Sequence, residues 1–149
     1  MRTLGIVVDP GGGNPKIFGV VVSGSVDEPV LEEEFELNTS SSESSEQVAE
    51  LALRLQGKLS GTEFDEAGVR VAGASPVASR RKAKFSRAHA EGAAIFVVRE
   101  HIQRPIIIGD PKSFATKTGL TQAALVARAQ QLSNAKADAV IAAIAAFTL

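Results

Sequence analysis

Apolar positions come in short clusters, and their spacing changes from strand-like to helix-like near residue 45. Residues 3–8 (TLGIVV) form a continuous apolar run of strand length, stopped by the turn-dense string Asp9-Pro10-Gly11-Gly12-Gly13-Asn14-Pro15. Residues 17–23 (IFGVVVS) form a second, β-branched run, closed by Gly24-Ser25 and the turn residues 27–29. In residues 30–37 (VLEEEFEL) strict alternation places Val30, Glu32, Glu34 and Glu36 on one face and Leu31, Glu33, Phe35 and Leu37 on the other. The polar side suits the open face of an edge strand. Three strands on short connections predict an antiparallel meander.

The serine-rich stretch 38–45 (NTSSSESS) is a loop rich in helix-capping residues, and the recurrence of Val48, Leu51, Ala52, Leu55 and Leu59 predicts an amphipathic helix stopped by Gly61. Residues 68–74 (GVRVAGA) read as a fourth strand ended by Ser75-Pro76, residues 79–100 as a long basic helix, and residues 105–109 (PIIIG) as a fifth strand. Two tail helices follow, at 121–132 and 136–147, the last with Val140, Ile141, Ile144 and Phe147 facing inward. A meander continued by strand–helix alternation has the element order of the ribonuclease H-like superfold. The predicted architecture is α/β, a five-stranded mixed sheet with three antiparallel and then two parallel strands, flanked by helices. No repeat or linker interrupts it, so residues 1–149 are expected to form one domain.

Composition narrows the chemistry. With no cysteine and only two histidines, His89 and His101, disulfide frameworks, thiolate zinc sites and cysteine nucleophiles are excluded and a histidine cage is disfavoured. No GxSxG elbow supports a serine nucleophile. The longest apolar stretch, 139–149, is far below the roughly 18–20 residues of a membrane span, and Met1-Arg2 leads directly into the first strand, which predicts a soluble, cytoplasmic protein. The net charge of −1 conceals an asymmetry: residues 1–66 carry thirteen Asp and Glu against four Lys and Arg, and residues 67–149 carry four against twelve. Within the basic half, Arg80, Arg81, Lys82, Lys84 and Arg87 crowd five cations into eight residues at a helix start, where the helix dipole favours anions. A bound anion is the favoured explanation of that placement, ahead of a solvated helix face or ion pairs with the acidic run Glu32 to Glu36. With neither tryptophan nor tyrosine present, phosphate contact is expected over base stacking.

Several strings resemble one family, the RuvC-type Holliday-junction resolvases. Leu4-Gly5-Ile6-Val7-Val8-Asp9-Pro10-Gly11 is similar to its GIDPG strand end, with two extra residues that leave the aspartate on the same strand face. Residues 85–98 (FSRAHAEGAAIFVV) resemble its GQARGVA-like helix, residues 105–119 its fifth strand and the PxxVKKxxTG continuation, and Ala135-Lys136-Ala137-Asp138-Ala139-Val140 its DAADAL motif. The resemblance implies two-metal phosphodiester hydrolysis with Mg²⁺, branched or duplex DNA as partner, and a homodimer whose interface includes the second helix. It makes Asp9 and Asp138 the candidate metal-binding and catalytic carboxylates. Lys112 and Lys117, in the DNA-facing stretch, join Arg80, Arg81, Lys82, Lys84 and Arg87 as candidate phosphate contacts.

The sequence also departs from that pattern. Two metals roughly 3.5–4 Å apart need three or four converging carboxylates. Ala135 replaces the first aspartate of the closing motif, and the stretch 73–75, where a strand glutamate is expected, holds no acid. The expectation is therefore a DNA-binding protein with weak or no nuclease activity. One alternative is an active endonuclease in which Asp110 substitutes for a missing ligand, although a turn role in Gly109-Asp110-Pro111 is favoured. Glu91 is expected to pair with Arg87 along its helix. A second alternative is a structural or protein-interaction module reusing the fold. The glycine turn also resembles the phosphate hairpin of actin-like ATPases, which need a second lobe that 149 residues do not supply.

Overall fold

The computed structural model describes residues 1–72 and 82–149, and the side chains of residues 82–84 lie outside that description. Strands β1 (Arg2–Asp9), β2 (Lys16–Gly24), β3 (Pro29–Leu37), β4 (Glu66–Arg70) and β5 (Ile107–Gly109) form one sheet in the order β3-β2-β1-β4-β5. The first three pair antiparallel, and β4 and β5 join β1 in parallel. The five-stranded mixed sheet expected from the element order is present. Helices α1 (Ser44–Ser60), α2 (Lys82–Ile102), α3 (Pro111–Thr118), α4 (Gln122–Leu132) and α5 (Ala137–Ala146) cover it.

Alternation along β1 divides the interior into two cores. Leu4, Ile6 and Val8 pack with Leu51, Leu55 and Leu59 of α1 and with Ala90, Ala94, Val97 and Val98 of α2. Val7, on the other face, joins Val20 and Val22 beneath α5, with Phe114 and Leu125 of α3 and α4 beyond. Every residue from Ala139 to Ala146 is buried, because α5 lies between the sheet and α3–α4. The expected inward set of Val140, Ile141 and Ile144 is thus part of a helix enclosed all round, with Phe147 half-buried at its end.

Close backbone approach fixes where α5 sits. A Cβ added at Gly5 would fall 1.9 Å from the Ala139 carbonyl oxygen, and one at Gly68 would fall 2.3 Å from that of Ala142. Thr3, fully buried on the same face, donates its hydroxyl to the Ala143 carbonyl at 2.8 Å. Small residues on both partners let helix and sheet meet at backbone distance.

Two expectations need correction, and a third, the capping loop before α1, gains a named residue. Residues 111–118 form a helix, α3, started by Pro111 at its first turn and ended by Gly119 in the left-handed region (φ 74°). The one-residue register shift between Val21 and Val22 places Glu33 opposite Val21 but Leu31 opposite Val22, so Leu31 turns to the α5 face while Phe35 and Leu37 pack with the α1–α2 core. The serine-rich loop caps α1 through Glu43, whose carboxylate accepts from the amides of Ser45 and Glu46. Residues 73–74 of the expected fourth strand and 79–81 of the expected second helix lie outside the described residues.

Gly5→Val is expected to destabilise the fold by about 3 kcal/mol or more, since neither backbone can retreat. Gly57→Ala, at an exposed helical position with nothing within 4 Å of the new methyl, should stabilise it by up to about 1 kcal/mol. Urea denaturation of the two variants checks both signs.

Candidate functional site

The C-terminal ends of β1 and β4 open into a cleft of about 470 Å³, walled by Phe18, the last turn of α4 and the start of α5. Asp9 and Asp138, 129 positions apart in the chain, both line it. Asp9 follows Val7 by two residues on β1 and shares its sheet face. Its carboxylate accepts from the Gly11 amide at 3.1 Å. That turn has three consecutive glycines at positive φ (53°, 67° and 116°), a path closed to side-chain-bearing residues at reasonable cost. Asp138, half-exposed, stands in the first turn of α5, whose position the Gly5 and Gly68 contacts determine.

Gln47, which the apolar pattern passes over, anchors this turn. It is 2% exposed on α1, and its amide donates to the carbonyls of Gly13 at 2.9 Å and Ser41 at 2.8 Å. A polar residue one position before an apolar stripe was the available signal.

The unexpected member of the cleft is Arg70. Parallel register pairs it with Val7, and it shares a β4 face with Gly68, which underlies α5. Its side chain is 18% exposed, and Nε lies 3.9 Å from Asp138 Oδ1. Arg87 reaches the same cleft from α2. Glu91, one turn on and buried, holds Arg87 Nε at 3.4 Å and accepts from the Ala72 amide at 2.8 Å, fixing the exit of β4 to the helix. The expected Arg87–Glu91 pair is present, with this second task added. Lys136 also lines the cleft, its Nζ 5.5 Å from the centre of the Phe18 ring.

Three cations and two carboxylates therefore line the cleft among the described residues. No three of His, Cys, Asp and Glu among those residues lie close enough to hold a metal together. Residues 73–81 (GASPVASRR) add none of these types, and Ala135 contributes no ligating group to the cleft wall. The guanidinium of Arg70 competes with any cation for Asp138 and repels a dication beside it. The residues present do not fit a pair of divalent ions.

Asp110 lies outside the cleft lining. Its carboxylate accepts from the Ser113 amide at 2.8 Å while the Ser113 hydroxyl accepts from the Asp110 amide at 3.1 Å, a reciprocal cap on α3. The Ser113 amide holds the Asp110 carboxyl below the usual aspartate range, with a lesser contribution from Arg70. Lys112 and Lys117 are exposed on α3. Arg80 and Arg81, and the side chains of Lys82 and Lys84, lie outside the described residues. His101 stacks on Phe64 at 5.5 Å between ring centres, and His89 is exposed on α2. No described helix is long and apolar enough to cross a membrane.

No protein-family model matches the sequence, and no curated protein does. Solved structures do match. A Thermus thermophilus RuvC structure superposes with a TM-score of 0.67 at 18% identity, covering 99% of this chain and 94% of its own. T. thermophilus RuvC in complex with a Holliday junction substrate superposes with the same TM-score at 20% identity and the same coverage. The chain has the RuvC, ribonuclease H-like fold over nearly its whole length.

Capping and metal ligation by Asp110 make opposite predictions. Asp110→Ala should cost about 1 kcal/mol at neutral pH and Asp110→Asn a few tenths, because asparagine caps nearly as well. The folded-state pKa is depressed, so the capping contribution is complete above the ordinary aspartate range and fades as pH falls through the folded value. Denaturation midpoints of wild type and Asp110→Ala should therefore converge in acid. Loss of function in Asp110→Asn at unchanged stability would assign the carboxylate to a ligand role instead.

Proposed function

We propose that this chain is a RuvC-like protein that binds branched DNA, the four-way junction above all, or duplex DNA, with weak or no nuclease activity. One observation carries the reading: a cleft in the RuvC fold that gathers Asp9 and Asp138 but adds Arg70 against the second carboxylate instead of further acids. The fold supports the DNA partner, since a RuvC of this architecture is known in complex with a Holliday junction. Exposed Lys112 and Lys117, together with Arg80, Arg81, Lys82, Lys84 and Arg87, supply the phosphate contacts in this reading.

The enzyme alternative, a Mg²⁺-dependent endonuclease using Asp9, Asp138 and Asp110, is disfavoured by the cap that Asp110 makes on α3. A homodimer is also part of the proposal. Phe85 and Phe96, 53% and 63% exposed, stand three turns apart on one side of α2 and would be covered by a second copy.

A labelled synthetic four-way junction, mixed with protein in Mg²⁺ or Mn²⁺, tests the reading directly. A mobility shift at lower protein concentration than for linear duplex, with the strands intact on a denaturing gel, is expected. Efficient cutting that Asp9→Asn abolishes would establish the enzyme alternative, and absence of any shift would remove the DNA reading. Neutralising Arg80, Arg81, Lys82 and Lys84 should reduce the slope of log affinity against log salt by about 0.9 per lost phosphate contact. Phe96→Asp is expected to halve the mass measured by sedimentation, and an unchanged monomeric mass in wild type would refute the dimer.

A further inference from the structure

The cleft is built for one ligand chemistry in outline and furnished for another. Its position, at the ends of adjacent parallel strands with an aspartate on β1 and another opening α5, is where a sheet of this kind meets its ligand. Its cations, however, are covalent parts of the chain. Arg70 stands against Asp138, and Arg87 is held by buried Glu91 and thereby tied to the end of β4. Both Nε atoms are buried and find no hydrogen-bond partner among the described residues. The lysine that begins α5 completes the set.

We propose that this cleft is a metal-independent seat for a phosphodiester of the DNA backbone, in which the Arg70 guanidinium, supported by Arg87 and Lys136, supplies the positive charge that divalent ions would otherwise supply. The inference rests on the DNA-binding reading given above. A planar guanidinium fork matches two phosphate oxygens and needs no inner-sphere carboxylates, whereas a magnesium ion demands an octahedral set of oxygens that this cleft lacks. Asp9 and Asp138 then serve as positioning residues: Asp138 orients Arg70, and Asp9 organises the glycine turn at the cleft edge. Their negative charge also limits the seat to one phosphate. No bond is made or broken there.

The test compares junction binding in EDTA and in Mg²⁺ for wild type, Arg70→Gln, Arg70→Lys and Arg70→Glu, with folding checked by circular dichroism. Wild type should bind the four-way junction at least as tightly in EDTA as in Mg²⁺, since added ions only compete. Arg70→Gln should weaken binding in EDTA about tenfold, the loss of one charge-assisted contact, and Arg70→Lys should recover part of it. Arg70→Glu, which adds an acid and removes the cation, should acquire Mg²⁺-dependent thermal stabilisation that wild type lacks. Binding that needs Mg²⁺ in wild type, or an Arg70→Gln affinity equal to wild type in EDTA, would overturn the proposal. Should the protein bind no DNA in either buffer, the DNA reading fails by itself. The seat is then judged on the protein alone, by titrating inorganic phosphate and MgCl₂ separately and following the Arg70 side-chain resonance. Phosphate-specific shifts support the seat, and shifts with Mg²⁺ only contradict it.

Discussion

The arrangement of this protein depends on how closely α5 can approach the sheet. Side chains at positions 5 and 68 would collide with the backbone of α5, and their absence lets an alanine-rich helix rest on β1 and β4 almost directly. The hydroxyl of Thr3 then bonds the helix backbone, so the contact is polar as well as steric. Packing alone would allow a helix to slide along its axis, but these three contacts fix its register. The register in turn decides that the first turn of α5, with Asp138, stops level with the end of β1, where Asp9 emerges. The same contacts that close the core therefore assemble the cleft.

Electrostatics divides along the same line. All four cations of the acidic first sixty-six residues pair within that segment, Arg2 with Glu63, Lys16 with Glu36, Arg54 with Glu50 and Lys58 with Glu33. Pairs of this kind stabilise little, but two of them, Lys16–Glu36 and Lys58–Glu33, partly compensate the acidic strand β3 on the far edge of the sheet. Arg104 and Arg128 also cross to acids of the first segment, Glu66 and Asp27. Arg70, Arg87 and Lys136 instead gather at the cleft, and Lys112 and Lys117 stand on α3 without an ion pair among the described residues. The charge asymmetry of the sequence thus becomes a cationic cleft whose two acids are outnumbered, an environment suited to an anion more than to a metal.

Much of this is readable from residue order. Alternating strands, the stripe of Leu51, Leu55 and Leu59, and the strand–helix alternation that follows carry the topology, because each depends on local periodicity. The meeting of Asp9 and Asp138 was legible only through resemblance to a known pattern. What stayed hidden depended on tertiary context. A one-residue bulge turned Leu31 to the other face, and the polar string 111–118 became a helix through its Asp110–Ser113 cap. Arg70 sat inside an apolar strand pattern with no local sign that it would turn toward Asp138. Glu91 was legible as a partner of Arg87, but its bond to the Ala72 amide joins residues nineteen apart and has no periodic signature.

A guanidinium, and not a pair of metals, occupies the charged centre of this cleft. A crystal structure of the protein with a four-way junction, grown in Mn²⁺ and measured at the manganese absorption edge, tests it most directly. A backbone phosphate against Arg70, with no anomalous peak between Asp9 and Asp138, is the expected result. Two peaks roughly 3.5–4 Å apart, with Arg70 displaced from Asp138, would contradict it.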